Sequence, residues 1–99
     1  MNVIEVSRHS GGITVKGHAR YAPYGQDVVC AAVSTLVQVL VVSISEITTD
    51  EIQYDMQPGM VEIRYKALSE EAQLLIKSFF IGIRMISHEY PSNVRIVQA

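Results

Sequence analysis

Apolar and polar side chains alternate along two stretches near the N-terminus, residues 2–8 and 13–18. This two-residue period is typical of half-buried strands, and the intervening residues 9–12 include two adjacent glycines suited to a tight turn. From residue 28 to residue 47 the apolar positions instead recur every three or four residues, which is the period of a helix. The first half of the chain therefore predicts a β-hairpin followed by a long helix.

The second half of the chain repeats this order. The alternating residues 52–56 and 60–66 are separated by a Gln-Pro-Gly turn and predict a second hairpin. A serine followed by two glutamates at 69–71 predicts the start of a second helix, and Pro91 marks its end. A β-branched run at 94–97 predicts a fifth strand.

These elements predict an α+β fold in the order ββαββαβ. We expect an antiparallel mixed sheet packed with two long helices, the first of them central. A chain of 99 residues buries one modest core, so residues 1–99 are predicted to form a single domain. Hydrophobic residues make up 48% of the chain, which leaves apolar side chains beyond the core and predicts a homodimer. The candidates for this subunit contact are Val37, Val41, Leu74, Ile81 and Met85.

Charge and polar residues argue against several classes of function. The net charge is −2 and no run of lysines or arginines occurs, so direct nucleic-acid binding is not expected. Serines, a glutamine and a glutamate interrupt the apolar stretch 28–47, which favours a buried helix over a membrane span. Met1–Glu5 lacks the pattern of a signal peptide, and a lone cysteine suits a reducing compartment, so we expect a cytoplasmic protein.

The single cysteine, Cys30, is the strongest candidate for chemistry. One cysteine permits neither an internal disulfide nor a cysteine-based zinc site, and no metal or cofactor is expected. Asp27 is a preferred type of N-cap residue, which would place Cys30 in the first turn of the long helix. Free backbone N–H groups and the helix dipole stabilise a thiolate in that turn. The alternative is an inert thiol in the core, where free cysteines are most often found.

His18 is the candidate base, because a thiol nucleophile needs a group that takes its proton. It lies at the predicted end of the second strand, twelve positions before Cys30, and the predicted loop 19–26 could fold back across that gap. The alternative is a strand-end histidine without a role. His9 lies in a polar turn and His88 suits the C-terminus of a helix, so we interpret both as structural.

Two further polar residues have two interpretations each. Asp27 either orients His18 as a third catalytic residue or only caps the helix, and capping is favoured because Asp is a preferred N-cap residue. Ser34 lies one helical turn after Cys30 on the same face. Its hydroxyl either bonds within the site or bonds back to a helix carbonyl.

Glycines and tyrosines surround the two candidate catalytic residues. Gly17 and Gly25 are interpreted as backbone requirements, since glycine permits a close approach or an unusual φ. Tyr21 and Tyr24 are candidates for the walls of a substrate-binding loop that also contains Gly25, and the alternative is that they are simply exposed. In the first case, residues 19–26 form a lid that closes over the substrate.

Several short motifs in this segment combine into one pattern. They are Gly17-His18-Ala19, Tyr21-Ala22, Gly25, Asp27 and the run Val-Cys-Ala-Ala-Val-Ser at 29–34. With this pattern the chain resembles the ribosomal-processing cysteine protease family, often called Prp. The length, the element order and the late Ser-Glu-Glu-Ala-Gln segment also match that family, and the combined pattern is far more specific than a histidine and a cysteine at this spacing.

The resemblance implies a bacterial cytosolic endopeptidase. Such enzymes remove a short N-terminal extension from the large-subunit ribosomal protein numbered twenty-seven, cutting after an aromatic pair in a segment resembling Phe-Phe-Ala. Members of the family are typically homodimers. By motif, Cys30 would be the nucleophile and His18 the base, while Gly17, Asp27 and Ser34 match the other motif positions.

The mechanism expected of such an enzyme is acyl transfer through the cysteine, with backbone N–H groups near residues 29–31 holding the oxyanion. Two rival classes are a non-catalytic ribosome-associated or peptide-binding module with an inert thiol, and a thiol redox protein. The missing second cysteine counts against the redox protein, because a pair of cysteines is its usual sign.

Overall fold

Seven elements of secondary structure follow one another in the computed structural model, which describes residues 3–17 and 24–98, and of residues 24–27 the backbone only. Their order confirms the predicted α+β fold, ββαββαβ. The elements are β1 (Ile4–His9), β2 (Gly12–Lys16), α1 (Tyr24–Ile47), β3 (Gln53–Gln57), β4 (Met60–Arg64), α2 (Glu70–Glu89) and β5 (Val94–Gln98).

The five strands form one mixed sheet in the order β3-β4-β2-β1-β5. Both predicted hairpins are present as antiparallel pairs, β1 with β2 and β3 with β4. An antiparallel pairing of β2 with β4 joins the two hairpins, and β5 completes the sheet in parallel with β1. The far end of the second hairpin therefore lies beside the end of β2, next to the segment that the sequence singles out.

One face of the sheet is apolar and carries the helices. Paired residues point to the same face, so the register between Val6 and Val15 and between Ile13 and Ile63 collects buried side chains on one side. The opposite face is polar and includes the ion pair between Glu5 and Arg95. Burial on one face only is the arrangement that the alternating strands predict.

α1 packs along the centre of the core and confirms the predicted central helix. By length and composition the stretch Val28–Ile47 could also cross a membrane, but one stripe of it packs against the sheet and α2. That stripe is broader than the sequence predicts. Val37 and Val41, proposed above for a subunit contact, are only 1% and 6% exposed, whereas Ile47 at the helix end is 63% exposed. A core-facing helix buries a wide stripe rather than a single row. This explains why Val37 and Val41 pack in the core and are not available for a subunit contact.

α2 begins as the sequence predicts. Ser69 is its N-cap, and the hydroxyl of Ser69 accepts a hydrogen bond from the backbone N–H of Ala72 at 3.2 Å. Phe80 lies on the buried face of α2. Its ring packs edge-to-face on Phe79, with centroids 5.1 Å apart, and the Arg8 guanidinium lies 5.7 Å from its centroid.

The two helices cross at close range. A Cβ atom added to Gly82 would lie 2.9 Å from Cδ1 of Leu36, so glycine at this position allows the leucine to pack against the backbone of α2. The start of α2 lies beside the loop that follows α1, through the contact of Ser69 with Asp50. α2 therefore runs back antiparallel to α1.

Asp50 joins the two helices at this end. Its carboxylate oxygen Oδ2 accepts hydrogen bonds from the backbone N–H of Ser69 at 2.7 Å and from the Ser69 hydroxyl at 3.0 Å. The backbone N–H of Asp50 donates to the hydroxyl of Thr48 at 3.0 Å. The half-buried carboxylate thus satisfies a free N–H group at the start of α2 and orients its N-cap serine.

We expect Asp50→Ala to lower the free energy of unfolding by about 1–3 kcal/mol, because it leaves the Ser69 N–H without its acceptor. Urea unfolding checks this through a lower midpoint at an unchanged slope. Glu51→Ala, at the exposed neighbouring position, is the matched control and is expected to change little. Equal effects of the two substitutions would show that the contact does not stabilise the fold.

Candidate active site

A cavity of about 450 Å³ opens beside Cys30, between α1 and the second hairpin. One wall is the first half of α1, and the other is the tip of the β3–β4 hairpin, with Gly17 at the end of β2 between them. Most of its lining is apolar. The lining residues are Ile4, Val15, Gly17, Cys30, Val33, Ser34, Val37, Gln38, Met56, Gln57, Pro58, Gly59, Met60 and Val61.

Cys30 is partly exposed and lies at the edge of the hydrophobic core. It also lines the cavity, so Cys30 lies at the border between the core and this space. Ser34, one turn further along α1, lines the same cavity, as two residues on one helix face should. The bond back to a helix carbonyl considered for Ser34 is made by the neighbouring Thr35, whose hydroxyl donates to the Ala31 carbonyl at 2.8 Å.

The start of α1 differs from the prediction. The helix begins at Tyr24, so Asp27 is its fourth residue and not its N-cap, and Cys30 lies in the second turn and not the first. Gly25 is helical as well, and the predicted loop 19–26 is shorter at its C-terminal end. A glycine costs about 1 kcal/mol inside a helix, which is why the sequence favours a loop there. Pro23 is the signal for the earlier start, because proline is common where helices begin.

This shift changes the candidates for holding an oxyanion. In a helix that begins at Tyr24, the N–H groups of residues 29–31 donate to carbonyl oxygens four residues earlier, so they are not free to bind substrate. The free N–H groups are those of residues 24–26 in the first turn, since the N–H of residue 27 makes the first hydrogen bond of the helix. The influence of the helix dipole is also concentrated on that turn, one turn before Cys30.

Gly17 occupies a position that requires glycine. Its φ of +96° lies in the left-handed region, and an added Cβ atom would lie 2.2 Å from the carbonyl oxygen of Val3. Its N–H donates a hydrogen bond to the carbonyl oxygen of Gly59 at 2.9 Å. The residue before His18 is therefore attached directly to the hairpin tip, and the described chain reaches Gly17 at the wall of the cavity.

Several predicted site residues lie outside the described part of the chain. These are His18 and Tyr21, together with the side chains of Tyr24 and Asp27. Their proposed roles as base, pocket wall and third catalytic residue stay predictions.

The two competing histidines lie away from the cavity lining. His9 pairs with Gly12 at the start of β2, whereas Gly17 follows the end of that strand, about 17 Å further along at the usual rise per residue. The His9 ring nitrogen Nε2 lies 3.1 Å from the hydroxyl of Thr14. His88 is exposed in the last turn of α2. Both positions suit the structural interpretation.

The sequence did not indicate that the second hairpin forms part of the site. Met56, Pro58, Met60 and Val61 contribute to the cavity, although they lie more than 25 positions after Cys30. A Pro-Gly pair between strands predicts a turn but not the neighbour of that turn. The neighbour follows from the pairing of β2 with β4, which no local pattern reveals.

The sequence profile described as Cysteine protease Prp matches residues 1–95. The chain belongs to this family. It is therefore a cysteine protease, as the motif around Cys30 predicts. A ribosomal processing cysteine protease Prp of Staphylococcus aureus is 32% identical over 87 residues, which cover 85% of this chain and 82% of the relative. The Prp of Bacillus subtilis is 31% identical over 98 residues, covering 89% and 88%.

Solved structures share the fold. The crystal structure of Prp from S. aureus in complex with a covalently linked product peptide superposes over the whole of both chains, with a TM-score of 0.83 and 24% identity. A crystal structure from Streptococcus mutans covers all of this chain and 96% of its own, with a TM-score of 0.75 and 30% identity. Among the described residues of the present Prp-family chain, no group of three potential metal ligands occurs.

Proposed function

We propose that this protease removes the N-terminal extension of the large-subunit ribosomal protein numbered twenty-seven, with Cys30 as nucleophile and His18 as base. The observation that carries the proposal is that the only cysteine of a Prp-family chain opens into an apolar cavity at whose wall Gly17, the residue before His18, also lies. Two curated relatives are ribosomal processing proteases by name, which supports a ribosomal protein as the substrate.

In this mechanism His18 takes the proton of the Cys30 thiol, and the sulfur attacks the scissile carbonyl carbon. The resulting oxyanion is held by backbone N–H groups, for which the start of α1, residues 24–26, supplies the free donors. His18 then protonates the leaving amine, and a thioester remains on Cys30. Water hydrolyses this thioester and releases the acyl product, so no metal or cofactor enters the cycle.

The other predicted residues take supporting roles. Ser34 lies beside Cys30 in the cavity and is placed to contact the bound peptide. Asp27 no longer caps α1, which leaves orientation of His18 as its proposed role. Tyr21, Tyr24 and Gly25 belong to the segment proposed to cover the substrate during the reaction.

Incubation of the protein with the extended ribosomal protein tests the function, with intact-mass spectrometry to detect loss of the extension. Because the chain has one cysteine, alkylation with iodoacetamide modifies Cys30 alone and provides a matched inactive control. We expect cleavage by the free enzyme and none by the alkylated one. Fast alkylation near pH 6 would also separate an activated thiolate from the inert thiol of a non-catalytic peptide-binding module. Undiminished cleavage after alkylation would exclude the thiol mechanism.

We also propose that the enzyme acts in the cytoplasm, where ribosomal proteins are assembled, and that it acts as a homodimer. Three of the predicted contact residues, Leu74, Ile81 and Met85, are 65%, 46% and 69% exposed on α2. Their spacing of seven and four residues places them on one face of the helix. An apolar row on an otherwise polar helix face favours a subunit contact.

We expect light scattering at micromolar concentration to give twice the chain mass of 11.0 kDa. Ile81→Glu, which puts a charge in the middle of the exposed row, should shift the protein to the monomer. Lys66→Glu, an exposed change of charge outside α2, is the control and should leave the dimer intact. A monomer mass for the unmodified protein would contradict the dimer.

A further inference from the structure

We propose that the Pro58-Gly59 turn of the β3–β4 hairpin is a positioning element for the proposed base, His18. Neither residue of this turn belongs to the sequence motif around Cys30. The turn acts through Gly17, which it holds by a backbone hydrogen bond and which directly precedes His18 in the chain. This inference rests on the proposed function of His18. It goes beyond that function by assigning the placement of the base to residues far away in the sequence.

The connection between the turn and Gly17 extends the ladder of β2 and β4. The last register pair of that ladder joins Lys16 to Met60. One residue further along, the N–H of Gly17 donates a hydrogen bond to the carbonyl oxygen of Gly59 at 2.9 Å. Paired residues of antiparallel strands lie at a fixed spacing, so the geometry of the turn sets the position of Gly17.

Gly17 is also held from its other side. An added Cβ atom would collide with the carbonyl oxygen of Val3, so the backbone of Gly17 packs closely against the residue before β1. Its φ of +96° ends the extended conformation of β2. Because Val3 and Gly59 contact this backbone from opposite sides, the point from which the chain continues to His18 is fixed.

The turn has a backbone type that two-residue hairpin loops seldom use. Gln57 pairs with Met60, so Pro58 and Gly59 alone form the loop. Proline fixes φ at about −65°, and the φ of Gly59 is +78°, which together correspond to a type II turn. Two-residue hairpin loops favour types I′ and II′, whose twist matches that of the strands. A departure from such a local preference is typical of functional sites.

The cavity beside Cys30 shows why this geometry matters for the reaction. Gly17, Pro58, Gly59 and Cys30 all line it, so the turn, the residue before His18 and the cysteine border one space. A base must lie within hydrogen-bond reach of the thiol, about 2.6–3.2 Å, to take its proton. A displacement of about 1 Å lowers the rate about 10²-fold. We therefore expect kcat to depend on the type of the turn.

Pro58→Asn tests the proposal, because an Asn-Gly pair strongly favours a type I′ turn. The hairpin keeps a turn that suits its strands, but the twist at Gly59 changes, and the placement of Gly17 changes with it. We expect kcat for the extended ribosomal protein to fall about 10²-fold, and the alkylation of Cys30 by iodoacetamide near neutral pH to slow as well. Pro58→Ala retains the type II turn and should keep both rates within a factor of about two.

Ser10→Asn is the matched control at the other end of the same ladder. Ser10 and Gly11 form the two-residue loop of the β1–β2 hairpin, and the carbonyl oxygen of Gly11 accepts a hydrogen bond from the N–H of Tyr65 at 3.1 Å. The change in turn chemistry is the same, but neither loop residue lines the cavity beside Cys30. Cleavage and alkylation should both stay within a factor of about two.

The double variant of His18→Ala and Pro58→Asn separates positioning from a loss of structure. If the turn acts through His18, adding Pro58→Asn to His18→Ala should slow alkylation by less than about twofold further. Urea unfolding verifies that each variant is folded. If Pro58→Asn does not fold, Gly59→Val replaces it and should lose both rates, while Gly59→Asn should keep them, because asparagine tolerates a positive φ and valine does not.

The outcomes distinguish the two levels of the proposal. Full cleavage and alkylation rates in His18→Ala would overturn the proposed function of His18 itself. Slow rates in His18→Ala with full rates in Pro58→Asn, or equal losses in Pro58→Asn and Ser10→Asn, would leave that function standing and overturn the positioning role. A fall in kcat with an unchanged alkylation rate in Pro58→Asn would also overturn it, because the turn would then act on the substrate and not on the base.

Discussion

Cys30→Ala is expected to abolish processing of the extended ribosomal protein, lowering kcat/KM by at least about 10⁴-fold. The reason is that the substitution removes the only thiol of the chain, and without a nucleophile no acyl-enzyme can form. Substrate binding should survive, because the substitution leaves the other residues of the cavity wall in place. Fluorescence anisotropy with a labelled extension peptide measures that binding, while mass spectrometry measures the cleavage.

Thr35→Ala provides the matched control on the same helix. Thr35 is exposed, and its hydroxyl bonds only to the Ala31 carbonyl among the described residues, outside the cavity. Its loss should change cleavage by less than about twofold, as expected for a surface position. If Cys30→Ala cleaved at a rate comparable with Thr35→Ala, the nucleophile would have to be another residue.

His18→Ala is expected to lower kcat/KM by about 10²–10⁴-fold, the usual contribution of a general acid–base residue. The same variant should also slow the alkylation of Cys30 by iodoacetamide near neutral pH, because the base no longer draws the proton from the thiol. The alkylation rate is a readout that a merely structural role for His18 would not change. The two measurements should therefore fall together.

The other two histidines supply controls matched in chemistry. His9 is the last residue of β1 and pairs with Gly12, at the opposite end of β2 from Gly17. His88 lies in the exposed last turn of α2. The variants His9→Ala and His88→Ala should keep the alkylation rate and the cleavage rate of the unmodified enzyme. If either variant lost most of its activity while His18→Ala kept full activity, His18 would not be the base.

The local elements of this fold were predictable because each of them depends on nearby residues. Alternation marked both hairpins, and the serine at position 69 marked the start of α2 correctly. The first residue of α1 was harder to predict. Pro23 favours a helix that begins directly after it, whereas Gly25 and Asp27 favour a loop that ends at an N-cap aspartate. In the structure the helix begins at Tyr24, so Cys30 lies in its second turn.

Which helical side chains are buried could be predicted only in part. Val29, Val33 and Ile44 lie at the three- and four-residue spacing that predicts the helix, and these are buried. That spacing also left Val37 and Val41 for a subunit contact, although both pack in the core. Periodicity defines the centre of the buried stripe, but its width depends on how many neighbouring elements the helix touches.

By itself, the sequence determined the element order, the family and the residues proposed to carry the chemistry, because these depend on local pattern and on motif. Only the tertiary structure decided that β2 pairs with β4, and so brings the hairpin tip at residues 56–61 beside Cys30. Pairing between strands distant along the chain depends on the packing of the whole sheet and leaves no local signal. For that reason the proposed nucleophile could be predicted from the sequence, whereas the cavity beside it could not.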